Sequence, residues 1–291
     1  MSDGDPGEAT HAPLREVARH VYGSDPAGYA EGRPDYPGEV YEVLVSRCGL
    51  HPGSGVVEIG PGTGLVTRWL LAQGATVVAV EPDAGMATFL ASTLSNPGLK
   101  VVGETFEQAA LPSAAFDLAV AATSFHWVDQ AAGLPKLGRI VRPGGWVAVW
   151  WTIFDDPDRP DPFRDATTRL LGDADPSHQA RRSSFQLGTE QRRRDLEHLG
   201  GFEDVRSQLI RSAVRFTSAQ IYAFYGSMIQ VRLRPEPERR LLLDGIQAIA
   251  ERDFGGEVTR PFVTALYTGR RPGPAGKSRV TGPATGGGRR G

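Results

Sequence analysis

A single cysteine, Cys48, stands among 291 residues, which excludes an intrachain disulfide and a multi-cysteine zinc site. Nowhere does the chain hold the roughly eighteen consecutive apolar residues of a membrane-spanning helix. The first twenty residues also lack the apolar stretch of a secretory leader, so a cytoplasmic protein is expected. Neither charge is in excess. Thirty-two Lys and Arg against 34 Asp and Glu leave a net charge of -2, which offers no overall attraction to nucleic acid or to an anionic membrane. No added basic, aromatic-rich unit of the RNA-binding kind stands out either. A small-molecule partner is therefore expected, with monomer and homodimer both left open.

What is present is enough apolar sequence, 40% of the residues, for one large core or a core with a smaller attached unit. Both ends fall outside it. Residues 1–13 are rich in Gly, Pro and acids, and residues 270–291 hold six basic residues, no acid and repeated Gly and Pro. Neither stretch buries enough apolar surface to offset its ordering entropy.

Between the ends, short apolar runs alternate with helical periodicity. Strands are expected at 56–59, 76–80, 99–102, 116–121 and, after a Gly-Gly turn, 146–151. Helices are expected at 63–72 and through Phe89 and Leu94. Strands this uniformly apolar are buried on both faces, which predicts an α/β fold with a mostly parallel sheet between helical layers. Beyond residue 151 the rhythm loosens. A short helix at 163–171, a charged helix at 189–199 and a strand at 205–210 are followed by a helix that Thr217 and Gln220 open as a capping box. Pro235 opens another helix, Gly255 and Gly256 stop it, and the last strand is expected at 262–268. The two late strands complete the sheet, leaving residues 152–188 and the helices after Thr217 as a cap.

The stretch VVEIGPGTG at 56–64 ends a β-branched strand in three glycines and a proline. A glycine directly after the first parallel strand permits a tight turn, and further glycines let a ligand approach the main chain. Leu65 occupies the place of the third glycine in a dinucleotide fingerprint, and no Lys of a phosphate loop occurs in 56–70. The loop thus suits a nucleoside cofactor without a pyrophosphate. Glu81 follows the second strand, seventeen residues after Gly64, where a carboxylate can accept both hydroxyls of a ribose. A helix-capping acid is the other reading of Glu81, as core packing is of Met86.

These stretches, with VVAVEPD at 77–83, FDLAVAATSFHWVD at 116–129 and VRPGGWVAVWW at 141–151, resemble the successive signatures of class I S-adenosylmethionine-dependent methyltransferases. Within that class they are similar to the small-molecule group that includes trans-aconitate methyltransferase. The resemblance covers about residues 22–271 and implies a Rossmann-like sheet of seven strands, mostly parallel with an antiparallel last strand, plus a small helical cap. It divides the chain into a flexible segment at 1–20, a cofactor-binding core at 21–151, the rest of the sheet with its inserted cap at 152–271, and a disordered basic tail at 272–291. It implies that Glu58, Gly60, Pro61, Gly62 and Gly64 hold the amino-acid part of S-adenosyl-L-methionine, whose product is S-adenosyl-L-homocysteine. Glu81 would bind the ribose, with Pro82, Asp83 and Met86 beside the adenosine. Phe106 and Glu107 fall nearest the adenine-contact positions, although GETFEQAALP departs from the usual acidic-Ala-Glu pattern there. YAEGRPDYP at 29–37 resembles an N-terminal segment in which Tyr29 and Arg33 contact the cofactor carboxylate or gate its methionine end.

Direct displacement at an activated methyl requires alignment and a dry pocket, with no protein nucleophile and no metal. His126 is read as a general base or as a structural or substrate-orienting group, and Trp127 as pocket wall or core. Trp150, Trp151, Tyr222, Phe224 and Tyr225 either line an aromatic acceptor chamber or fill the core; Arg232 and Arg234 either meet a carboxylate or stay solvated. The acceptor nucleophile is expected to be oxygen or carbon. An NAD-dependent oxidoreductase and a noncatalytic cofactor-binding interaction module are the alternatives.

Overall fold

The computed structural model describes residues 21–172 and 187–273; the expected flexible segment at 1–20 and nearly all of the expected tail at 272–291 lie outside the described residues. Seven strands form one sheet: β1 (Gly55–Ile59), β2 (Thr76–Val80), β3 (Leu99–Val102), β4 (Phe116–Ala122), β5 (Val141–Ile153), β6 (Glu203–Thr217) and β7 (Glu257–Arg270). Their order is β3-β2-β1-β4-β5-β7-β6. The first five run parallel, and β7 lies antiparallel between β5 and β6. This is the expected sheet, with its last strand reversed.

Helices cover both faces: α1 (Pro26–Gly32), α2 (Gly38–Ser46), α3 (Leu65–Ala72), α4 (Ala84–Thr93), α5 (Gln130–Ile140), α6 (Pro162–Leu171), α7 (Thr189–His198), α8 (Ser218–Gly226), α9 (Ile229–Arg232) and α10 (Glu238–Phe254). The starts follow local chemistry. Asp83 accepts the Met86 N–H at 2.8 Å to begin α4, and Thr217 and Gln220 cap each other's backbone at the start of α8. None of the described helices is long and apolar enough to cross a membrane.

Alternation along the strands sorts the core into two layers. Val57, Val149, Trp151 and Tyr267 pack under α5 and α7, whereas Val56, Val120 and Trp150 pack under α2, α3 and α4. Each such fully buried aliphatic side chain is worth about 1.5–3 kcal/mol. A third cluster, built from Phe163, Phe216, Phe224, Tyr225, Ile246 and Phe262, forms the cap.

Three late elements differ from expectation. The Gly-Gly turn before Trp146 is a bulge inside β5, which already pairs with β4 at Val141. Strands β6 and β7 run far past the expected 205–210 and 262–268, because they continue as a two-stranded arm after β5 ends at the Ile153–Val263 pair. In that arm Val214 and Phe216 face the cap while Arg211 and Arg215 face outward, an alternation that the charged residues obscure in sequence. Helix α10 begins at Glu238 rather than Pro235, because the second proline, Pro237, takes the N-cap position.

The arm is joined to the cap by Arg260, which is 1% exposed. Its Nε donates to Asp161 at 2.8 Å, Nη1 to the Tyr225 hydroxyl at 2.8 Å and Nη2 to the Phe154 carbonyl at 3.3 Å. Asp161 also caps α6 by accepting the Arg164 N–H at 2.9 Å. Removing one member strands a buried charge. Asp161→Ala is therefore expected to lower stability by about 3–5 kcal/mol, measured as a reduced denaturant midpoint; a loss below about 1 kcal/mol, the worth of the cap alone, would contradict the buried pair.

Candidate active site

The chain grows away from β1 in both directions across the sheet, toward β2 and β3 on one side and β4 and β5 on the other. Ligands of open α/β sheets sit at the carboxyl ends of the strands at such a switch point. The glycine loop emerges there. Gly60 N–H donates to the Val80 carbonyl at 2.9 Å and Gly64 N–H to the Pro61 carbonyl at 3.0 Å, so the β1–β2 ladder continues into the turn. Gly60, Gly62 and Gly64 all have positive φ, +64°, +57° and +85°. Their surroundings differ. A Cβ on Gly60 would stand 2.6 Å from the Ser124 Cβ, and one on Gly64 would stand 2.4 Å from Leu90 Cδ1, whereas one on Gly62 meets nothing within 4 Å. Packing demands glycine at 60 and the left-handed φ favours it at 64; the middle one opens onto space that a ligand can fill.

Glu81 stands one residue past β2, 6% exposed. Its Oε2 accepts the Gly62 N–H at 2.9 Å and its Oε1 the Asp83 N–H at 3.0 Å. The helix cap belongs to Asp83, so Glu81 is not the capping acid. Beneath the loop, Glu58 is 1% exposed and accepts the Thr67 hydroxyl of α3 at 2.6 Å. Burial pushes the Glu58 carboxyl up from 4.5 to about 7; the Thr67 bond pulls it down and the Glu81 charge raises it.

An N-terminal cover closes over these groups. Gly23 and Gly85 touch so closely that a Cβ on Gly85 would meet the Gly23 carbonyl at 2.2 Å, and a Cβ on Gly32 would meet the Ala223 carbonyl of α8 at 2.3 Å. The Arg33 guanidinium lies over the rings of Tyr29 at 4.7 Å and Phe154 at 5.0 Å and donates to the Ser227 carbonyl at 3.1 Å. Its Nε is buried without a hydrogen-bond partner among the described residues. Tyr22 packs edge-on to Tyr29 at 5.1 Å, and burial pushes its hydroxyl up to about 12. Tyr36 donates to the Thr123 hydroxyl at 3.1 Å and meets the Trp150 ring edge-on.

His126 lies on the 3-10 turn Phe125–Trp127, half-buried, with its Nδ1 accepting the Trp151 indole N–H at 3.0 Å. Trp127, also half-buried, is its neighbour, ring centroids 4.7 Å apart. Met86 is buried and Pro82 half-buried at the start of α4. The other expected site residues have partners within the fold. Phe106 is 2% exposed in the core against Phe125, and Glu107 accepts the Asp129 N–H at 2.8 Å. Lys136 gathers the carbonyls of Phe106, Glu107 and Ala109 behind them. Tyr225, expected in the acceptor chamber, is fully buried in the cap with its hydroxyl taken by Arg260; Phe224 is buried beside it. Trp151 is 2% exposed and reaches the site through its bond to His126. Arg232 pairs with Asp25 at 3.6 Å, and Arg234 donates to the last carbonyl of α6, Leu171, at 3.1 Å.

Thr123 and Ser124 were not singled out in sequence. Thr123 has φ +56°, a rare conformation for a β-branched residue that costs about 1–3 kcal/mol. It is held by Tyr36 and by its own N–H to the Trp150 carbonyl at 2.7 Å. Ser124 donates to the Ile59 carbonyl and wedges against Gly60. No local signal marks either residue, because both are defined by what β1 and the N-terminal segment bring to them. Among the described residues no group of three or more His, Cys, Asp or Glu is placed to hold a metal.

The seven-stranded sheet, with β7 antiparallel between β5 and β6, is the fold that the resemblance implies. Residues 57–149, from β1 into β5, match the methyltransferase domain family. An uncharacterised methyltransferase of Mycobacterium tuberculosis is 33% identical over 135 residues, 46% of this chain and 53% of the relative; the chain thus spans about half the length of that curated relative. A provisionally named type II methyltransferase from Anaeromyxobacter dehalogenans shares the fold with a TM-score of 0.58 and 22% identity, over 83% of this chain and 99% of that one. Phosphoethanolamine N-methyltransferase 2 of Haemonchus contortus, solved with phosphomonomethylethanolamine and S-adenosylhomocysteine, matches with a TM-score of 0.53 and 12% identity, over 94% of this chain and 61% of that one.

Glu58 makes stability depend on pH in a stated direction. The folded protein holds its proton more tightly than the unfolded chain, so the contribution is full below pH 4.5 and is lost as pH rises through about 7. Glu58→Gln, a mimic of the neutral carboxyl, is expected to gain thermal stability relative to the parent between about pH 5 and about pH 8. A difference in melting temperature that stays constant across that range would contradict it.

Proposed function

We propose that the chain transfers a methyl group from S-adenosyl-L-methionine to an oxygen or carbon nucleophile of a small organic acceptor, leaving S-adenosyl-L-homocysteine. One observation carries the reading: Glu81 accepts the Gly62 N–H at 2.9 Å, and Gly62 opens onto space beside that carboxylate. The tips of β1 and β2 thereby form one cradle with a carboxylate in its wall. When bound, the cofactor supplies a methyl group already activated by sulfonium charge.

The chain's own residues then bind, orient and exclude water. Gly60, Pro61, Gly62 and Gly64 present main chain to the amino-acid part, and Glu81 accepts the ribose hydroxyls. Pro82, Asp83 and Met86 flank the adenosine, and Phe106 and Glu107 belong to the adenine side. Arg33, whose buried Nε has no hydrogen-bond partner among the described residues, takes the cofactor carboxylate beside Tyr29. Glu58 anchors the loop to α3 from below. His126 and Trp127 face the acceptor, with Trp151 behind the histidine. The near-neutral charge supports a small-molecule acceptor over nucleic acid.

Glu81→Ala is expected to weaken binding of S-adenosyl-L-homocysteine about tenfold or more, as loss of a charge-assisted hydrogen bond worth about 1.5–3 kcal/mol requires. Titration calorimetry on the folded variant checks this, and unchanged affinity would remove Glu81 from the ribose.

A further inference from the structure

The chain leaves β3 beside the cradle, since the Glu81 N–H donates to the Val102 carbonyl at 2.9 Å. It then makes a turn in which the Gln108 and Ala109 N–H groups both donate to the Thr105 carbonyl, at 3.1 and 2.9 Å. That turn directs the carbonyls of Phe106, Glu107 and Ala109 toward one another, and none of the three receives a main-chain N–H among the described residues. Converging acceptors destabilise a turn unless donors meet them. The donors come from α5. Lys136 Nζ donates to the Phe106 carbonyl, to the Glu107 carbonyl at 3.1 Å and to the Ala109 carbonyl at 2.6 Å, so the three hydrogens of one ammonium are matched by three oxygens. The same Nζ stands 5.0 Å from the centre of the Phe106 ring.

The turn borders the site at both ends. On one side it follows directly on the Glu81–Val102 bond. On the other, the Glu107 carboxylate accepts the Asp129 N–H at 2.8 Å, and the Phe106 ring packs against Phe125, the neighbour of the Ser124 that wedges against Gly60. We propose that Lys136 is a positioning residue for cofactor binding: its ammonium gathers the carbonyls of the turn after β3 and so fixes that turn as the nucleoside-side wall of the cradle. The cofactor half rests on the methyl-transfer reading; the hold on the turn does not. Lys136 acts only through the main chain of the turn. Its removal therefore weakens every ligand that carries the nucleoside, whether or not the amino-acid part is present.

Lys136→Cys removes the ammonium, and alkylation with bromoethylamine restores it on a side chain of nearly the same length. The other thiol, Cys48, is 4% exposed and pushed up by burial to about 12, so it does not compete in the folded protein. In the cofactor-free variant, with amide spectra showing the fold intact, the amides of residues 103–109 are expected to exchange with solvent about tenfold or more faster, and to return toward the parent rate after alkylation. Unchanged exchange, or no recovery on alkylation, overturns the hold on the turn. By calorimetry, affinity for S-adenosyl-L-homocysteine and for methylthioadenosine, which lacks the amino-acid part, is expected to fall by the same factor, about tenfold, and to recover on alkylation. Unchanged affinity, or a loss confined to S-adenosyl-L-homocysteine, overturns the positioning role. Should Lys136→Cys not fold, Lys136→Gln, with two N–H donors for three carbonyls, is expected to lose about threefold for both ligands, and equal affinity there overturns the role in the same way. A parent protein that binds neither ligand would instead sink the methyl-transfer reading while leaving the exchange result standing.

Discussion

The hydrogen bond from the Gly62 amide to the Glu81 carboxylate is the contact on which the site depends. It joins the tips of two adjacent parallel strands and fixes an acid beside a backbone stretch with no side chain. Its geometry is inherited from the ladder below, since Gly60 N–H continues the β1–β2 pairing onto Val80. The glycines divide the labour: Gly60 lies too close to Ser124 for any side chain, Gly64 holds a left-handed φ of +85° against Leu90, and Gly62 leaves room beside the carboxylate. A loop held this tightly from both flanks presents its amides with little entropy left to lose, which is what pre-organised binding requires.

The cover over the site is built differently. Strands β6 and β7 overrun the parallel sheet and carry a third apolar cluster, so the cap has its own core and is joined to the sheet by the buried Arg260–Asp161 pair. The N-terminal segment crosses from α4 to α8, with glycines at both close approaches, Gly85 and Gly32. Arg33 stands where that segment meets the cap, stacked between Tyr29 and Phe154 and bonded to Ser227. One guanidinium thus touches α1, the end of β5 and the loop after α8. Cover, cap and sheet meet at this one charged group.

His126 illustrates how tertiary context narrows a residue's chemistry. Sequence leaves it open between base and orienting group, because an isolated imidazole titrates near neutrality and does either. The indole of Trp151, twenty-five positions away on the neighbouring strand, commits Nδ1 as an acceptor. Tyr225 shows the reverse case. An aromatic with a hydroxyl suits a pocket wall as well as a core, and only Arg260, thirty-five positions later, shows that its hydroxyl is satisfied inside the cap.

Local pattern alone determined the parallel strands, the glycine turn after β1, the acid after β2 and the capping box of α8, because strand burial, positive φ and capping leave their marks within a few residues. It did not determine the overhanging β6–β7 arm, the left-handed Thr123, the elevated Glu58 carboxyl or the tie between Trp151 and His126. Each of those depends on which distant side chain arrives from another strand or helix. Periodicity within one segment carries no record of that arrival; the order in which the strands assemble does.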